Sequence, residues 1–108
     1  MKKKDTIKSR KEYSHLIKKG TYFKTNEYVV YSMNNDYNKK RFGLAISNKI
    51  GNAVIRNKLK RQTREIIDSL NYLFKNNKDY IIMIRKGCLD SSFKEKKENL
   101  EKKLKETL

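Results

Sequence analysis

RFGLAISNKIGNAVIRNKLKRQTREIIDSLNYLFKNNKDYIIMIR, residues 41–85, decides the fold. It opens on a strand-like run, RFGLAIS (41–47), with Phe42, Leu44 and Ile46 on one face and Gly43, Ala45 and Ser47 on the other. A face of such small residues admits close approach by a helix or a ligand. The run ends at NKIGN (48–52), where Asn52 is placed to cap a helix extending to about 71–74. At ~100° per residue, Ile55, Leu59, Ile66, Leu70 and Leu73 fall within a sector of about 60°, the expected core stripe. DYIIMIR (79–85) is apolar almost throughout, as in a strand covered on both faces. Strand, helix, strand makes a crossover with the helix in the middle.

Working outward, residues 1–8 read as a flexible basic arm. SRKE (9–12) is a capping box, in which the Ser9 oxygen accepts from the Glu12 amide and the Glu12 side chain reaches back. Tyr13, Leu16 and Ile17 form an apolar stripe, and Gly20 closes this helix (9–19) in a left-handed conformation. EYVVYSM (27–33) reads as a strand, NNDYNKK (34–40) as a turn, and the runs 27–33 and 41–47 as a hairpin. A short extra strand falls near 21–25. After the crossover, Lys86-Gly87 turns the chain, and SFKE (92–95) is a second capping box opening a terminal helix with Phe93, Leu100 and Leu104 inward. No repeat or Pro/Gly linker divides the chain, so residues 1–108 read as a single domain. The fold class is α+β: an α/β sandwich with a mixed sheet of about four strands and three helices, in the order α-β-β-(β)-α-β-α.

Within the 108 residues, 28 basic side chains face 12 acidic ones, a net charge of +16. So much like charge opposes compaction unless a polyanion neutralises it. Nucleic acid is the first such partner and an anionic membrane surface the second. No apolar run approaches the ~20 residues that cross a bilayer, and the basic N-terminus lacks the apolar stretch of a secretory signal. One cysteine, Cys88, excludes an internal disulfide and fits a reducing, cytoplasmic compartment. One cysteine and one histidine, His15, assemble no zinc cluster.

Catalytic patterns are absent. His15 has no Ser, Cys or Asp arrangement around it in the sequence, Cys88 has no paired base, and no phosphate-binding glycine loop occurs. Binding is better supported. The chain has 22 lysines and only six arginines, yet Arg56, Arg61 and Arg64 cluster in nine residues. Arginine grips phosphate with a planar fork where lysine offers a point charge. On the helical wheel Arg56, Lys60, Arg61 and Arg64 share an arc away from the apolar stripe, with Asn57 among them and Lys58 on the opposite flank. Periodicity alone leaves two readings, a solvated face or a phosphate-binding one. The turn before Asn52 adds backbone amides near a helix start, where anions bind well. Tyr13 and Tyr31 present either stacking rings or partly buried core residues with wet hydroxyls.

FGLAISNKIGNAVIRNKLKRQTRE (42–65) resembles the signature of the bacterial ribonuclease P protein subunit. Lys49, Gly51, Asn52, Ala53, Val54, Arg56, Asn57, Lys60, Arg61 and Arg64 match it, and the similarity extends to EYSHLIKKG (12–20), Tyr31 and DYIIMIRKG (79–87). The resemblance implies a large catalytic RNA as partner, which uses Mg2+ to hydrolyse a phosphodiester and free the 5′ leader of precursor tRNA. No metal bound by the protein itself is read from the sequence. Asn52, Arg56, Asn57, Lys60, Arg61 and Arg64 would form the helix that binds the catalytic RNA. Tyr13, Ile17, Tyr31, Lys49 and Arg85 would line a cleft, or its rim, for the single-stranded leader. Ile17 stands where the family often has an aromatic residue, and Asn48 where a lysine is common. The resemblance further implies a left-handed crossover over 41–85, where general connection rules favour the right-handed one. Two other readings share the charge: a small ribosomal or structural RNA-binding protein with no role in cleavage, and a non-specific DNA-binding protein.

Overall fold

The computed structural model describes residues 6–7 and 9–107. Seven main elements follow in order: α1 (Arg10–Lys19), β1 (Thr21–Lys24), β2 (Tyr28–Asn34), β3 (Arg41–Ile46), α2 (Ala53–Ser69), β4 (Lys78–Ile84) and α3 (Phe93–Thr107). Single 3-10 turns at Asn48–Ile50, Asn71–Leu73 and Lys86–Leu89 join them. The four strands make one mixed sheet in the order β1-β2-β4-β3.

That order overturns the hairpin expected between 27–33 and 41–47. The hairpin is β1–β2, built on the short extra strand, and β4 lies between β2 and β3, antiparallel to the first and parallel to the second. The physical reason lies in β4 itself. Tyr80, Ile81, Ile82 and Ile84 are all buried, and a strand apolar on both faces suits the sheet interior, where α1 covers one face and α2 with α3 the other. The segment 34–40 therefore passes over the end of β4 rather than turning tightly. Asn35 stitches it down, its amide donating to the Lys39 carbonyl and to Asp79 Oδ1.

Alternation sorts the strand residues onto two faces. Tyr28, Val30, Phe42, Tyr80, Ile82 and Ile84 pack with Leu59, Ile66 and Ile67 of α2, Leu70 at its C-cap, and Leu100 and Leu104 of α3. Phe42, Phe74 and Tyr80 form an aromatic triangle in this core, with ring centroids 4.9–5.6 Å apart. Thr63 completes the α2 stripe, donating to the Leu59 carbonyl and accepting from the Tyr28 hydroxyl at 3.1 Å. On the opposite face α1 packs through Leu16 against Ile81, with Ile7 completing the cluster. Glu27 is buried beside α3, where Ser91 Oγ and Asn99 Nδ2 donate to its carboxylate.

Several local expectations change. Ser9 caps α1 by accepting from Lys11 N rather than from the Glu12 amide, and Glu12 instead faces Arg41 at 3.4 Å. Gly20 is extended, φ −76° and ψ 167°, not left-handed. It is needed for space, since a Cβ there would lie 2.6 Å from both the Leu16 and Ser32 carbonyl oxygens. Ile55 and Phe93 are each 38% exposed, not inward. Ile55 lies in the first turn of α2, packed over Gly51. Phe93 is the first residue of α3, ahead of the part that reaches the core. Of the expected arm, Thr6 bridges to Phe42 in parallel and Ile7 is buried, its N–H donating to the Phe42 carbonyl. The apolar Ile7 gives this stretch something to bury, which the charge pattern of 1–8 obscured. The rest of the arm lies outside the described residues. The second capping box holds as read: Ser92 N donates to Glu95 Oε1 and Glu95 N to Ser92 Oγ, both at 3.1 Å.

Candidate nucleic-acid interface

α2 begins where the sequence places it, with Asn52 Oδ1 accepting from Ile55 N at 3.0 Å. Its first turn carries no acidic residue, so the partial positive charge of the helix start is left to an outside anion. The buried stripe is Leu59, Thr63, Ile66 and Ile67. Asn57, Arg61 and Arg64 are exposed, and Arg56 and Lys60 are half-buried. Arg56 is pre-positioned, its guanidinium donating to Asn48 Oδ1 at 2.9 Å. Asn48, the position where the resemblance has a lysine, therefore holds a neighbouring cation in place.

The cleft residues come from α1, β2, the 3-10 turn after β3 and the end of β4. α1 crosses the sheet from β3 to β2, with Tyr13 over Gly43, Leu16 on Ile81 and Gly20 against Ser32. A Cβ on Gly43 would lie 2.3 Å from Tyr13 Oη, so the small-residue face of β3 receives a tyrosine from the first helix. The Tyr13 hydroxyl donates to the Leu44 carbonyl at 3.5 Å, and burial pushes it above the usual tyrosine range. Registered pairs set the row beneath α1: Tyr22, Tyr31, Ile81 and Gly43. The next row on this face is Lys24, Val29, Met83 and Ala45, with Lys24 exposed, Met83 and Ala45 half-buried and Val29 buried. Tyr31 is half-exposed, and Ile17 is 36% exposed.

The structure brings Tyr13 together with Lys60 and Arg64 around a cavity of ≈ 210 Å³ beside the β3 edge, closed by Thr6 and Leu44. The leader group and the helix group thus meet there. Lys49, exposed on the 3-10 turn after β3, and Arg85, just beyond β4, stand apart from Tyr13. Arg85 lies four residues along β4 from Ile81, about 13 Å at the strand rise. Its guanidinium donates to the Thr25 carbonyl at 2.7 Å, tying it to the β1–β2 turn.

Sequence reasoning passed over Tyr22, which is 60% exposed on edge strand β1 with its ring 5.7 Å from that of Tyr31. The signal was the TYFK run at 21–24, too short to assign a face. Arg41 has a structural role, forking onto Asp79 at 2.8 and 2.6 Å with Tyr37 stacked 4.1 Å away. Cys88 is buried, its thiol donating to the Glu27 carbonyl, and burial raises it above the usual thiol range. His15 is exposed. Among the described residues no group of three or more His, Cys, Asp or Glu is placed to hold a metal ion, and no helix is long and apolar enough to cross a membrane.

The ribonuclease P family model matches residues 1–108. The ribonuclease P protein component of Streptococcus pneumoniae serotype 4 (strain ATCC BAA-334 / TIGR4) is 37% identical over 100 residues, covering 93% of this chain and 81% of that protein. Among solved structures, a Staphylococcus aureus RNase P protein mutant with defective mRNA degradation activity superposes with TM-score 0.87 at 33% identity, over 97% of this chain and 89% of that one. The Thermotoga maritima RNase P protein superposes with TM-score 0.83 at 27% identity, over 94% and 96%.

Proposed function

The chain belongs to the ribonuclease P protein family, and from that premise we propose how its surfaces divide the work of tRNA 5′ maturation. It is the protein component of a ribonucleoprotein endoribonuclease, a family in which catalysis is RNA-based. In our reading residues 1–108 act in the cytoplasm as one RNA-binding domain. The partners are the catalytic RNA and the 5′ leader of precursor tRNA, and the RNA supplies the Mg2+ chemistry that cuts the leader away. The protein contributes affinity and discrimination. Asn52, Arg56, Asn57, Lys60, Arg61 and Arg64 dock α2 on the catalytic RNA. Tyr13, Ile17, Tyr31, Lys49 and Arg85 line or border the leader cleft.

The observation that supports this best is the one-sidedness of α2. Its apolar stripe faces the core, while Arg61 and Arg64 are exposed and Arg56 is held at the helix start by Asn48, a set of guanidinium forks suited to phosphates. The sheet face beside α1 supplies an adjoining surface for a single strand, with Tyr31 half-exposed on it. Two surfaces for two RNAs suit a subunit that holds substrate against catalyst.

The test is reconstitution. Catalytic RNA and leader-bearing precursor tRNA are mixed at low Mg2+ with and without the protein, and leader removal is timed. Faster removal with the protein is expected, falling steeply with salt as phosphate contacts release counterions. Leader removal no faster than with RNA alone would overturn the assignment.

A further inference from the structure

Tyr22 is a large ring left in solvent on a four-residue edge strand. Its register partner is Tyr31, so both rings rise from the same sheet face. The two planes are tilted by 44° with centroids 5.7 Å apart. Two residues further along β1, Lys24 occupies the same face opposite Val29 and is exposed. Its ammonium lies 5.7 Å from the centre of the Tyr22 ring. Beyond it Lys24 joins Lys102 and Lys103 of α3 around a cavity of ≈ 360 Å³, with Thr25, Asn26, Asn99 and Glu106. Ring, ring, cation and cation cluster therefore follow one another from the sheet face beside α1, over the β1 edge, to the last helix.

We propose that Tyr22 and Lys24 continue the leader-binding surface over the β1 edge, Tyr22 stacking a base beyond the one at Tyr31 and Lys24 with Lys102 and Lys103 holding the phosphates that follow. This rests on the sheet face being the leader cleft. The chemistry required is that of single-stranded RNA: stacking accepts any base, while lysines contact backbone phosphate without reading sequence. The ring pair also answers the aliphatic residue at Ile17, because it adds stacking surface on the sheet beside Tyr13 of α1. Glu106 is the one acid in the cluster, and it pairs with Lys103 at 3.9 Å.

The experiment uses the reconstituted holoenzyme and two precursor tRNAs, one with a long 5′ leader and one with the leader cut short. Tyr22→Thr keeps a good strand former and removes the ring, whereas Tyr22→Phe keeps the ring. The expected result is a loss of roughly fivefold or more in affinity for the long-leader substrate with Tyr22→Thr. The short-leader substrate should be bound as before, and Tyr22→Phe should match wild type on both. Lys24→Ala should make the salt dependence of long-leader binding shallower by about 0.7 in log–log slope. Should wild type favour the long leader while Tyr22→Thr does so equally, the Tyr22 proposal falls and the leader cleft stands. Equal weakening of both substrates by Tyr22→Thr would mark a structural ring and also overturn it. If wild type does not distinguish the two leaders, the leader reading of the sheet face fails, and this inference with it.

Discussion

Gly43→Ala probes the contact that builds the cleft. The new methyl would lie 2.3 Å from Tyr13 Oη, 2.6 Å from Cζ and 3.1 Å from Cε1. That is roughly 1 Å inside ordinary contact between non-bonded heavy atoms, so the tyrosine ring must move off the strand. The fold should tolerate this. The hydrogen bond to the Leu44 carbonyl is long, 3.5 Å, and a weak bond costs at most about 0.5–1.5 kcal/mol. Replacing a strand glycine returns about 0.4–1 kcal/mol through the unfolded chain. The two nearly cancel, so the midpoint of thermal unfolding should shift by only a few degrees. Leader binding should respond far more. If Tyr13 stacks a base, its displacement removes roughly 1–3 kcal/mol, or about 5- to 150-fold in affinity. The assay is a double-mutant cycle on the holoenzyme with leader-bearing precursor tRNA, comparing Gly43→Ala, Tyr13→Ala and the pair. Because the glycine acts only through the ring, Gly43→Ala should cost almost nothing once Tyr13 is gone. Additive losses, or wild-type binding by the single Gly43→Ala variant, would refute the reasoning.

Arg56→Ala with Arg64→Ala should weaken assembly with the catalytic RNA and lower the log–log salt slope by about 2, one per lost phosphate contact, with the circular dichroism spectrum unchanged because both side chains lie off the buried stripe. Glu95→Gln should remove part of the acid sensitivity of folding. The Ser92 backbone N–H, with the Ser92 hydroxyl second, holds the Glu95 carboxyl below its ordinary 4.5. Its contribution is therefore present above that value and lost as pH falls through the lower folded one, and thermal unfolding at pH 7 and pH 3 should converge for the variant relative to wild type. Cys88 should resist alkylation in the native protein and react readily in urea, since burial keeps its thiol protonated and covered; rapid native-state labelling would contradict the packing of α3 over the β1–β2 turn.

The sequence by itself determined the elements and most of their faces. Local chemistry suffices for these: a cap needs only Asn52 and the amides after it, and a stripe needs only the 3.6-residue period that joins Leu59, Ile66 and Leu70. The one-sided arginines of α2 were legible for the same reason, as was the family resemblance carried by 42–65. Tertiary structure decided which strands are neighbours. A period of two says which side chains share a face but not what lies at the edge, so the β1–β2 hairpin and the central place of β4 emerge only once both edges of β4 are covered. It also decided the meaning of two glycines. Gly20 and Gly43 leave room for a carbonyl and a tyrosine that are distant in sequence, Ser32 and Tyr13 respectively. The meeting of Tyr13 with Lys60 and Arg64, and of Tyr22 with Tyr31, belongs to the same class. Each joins residues that no local pattern relates, because proximity across a sheet is set by packing and not by spacing along the chain.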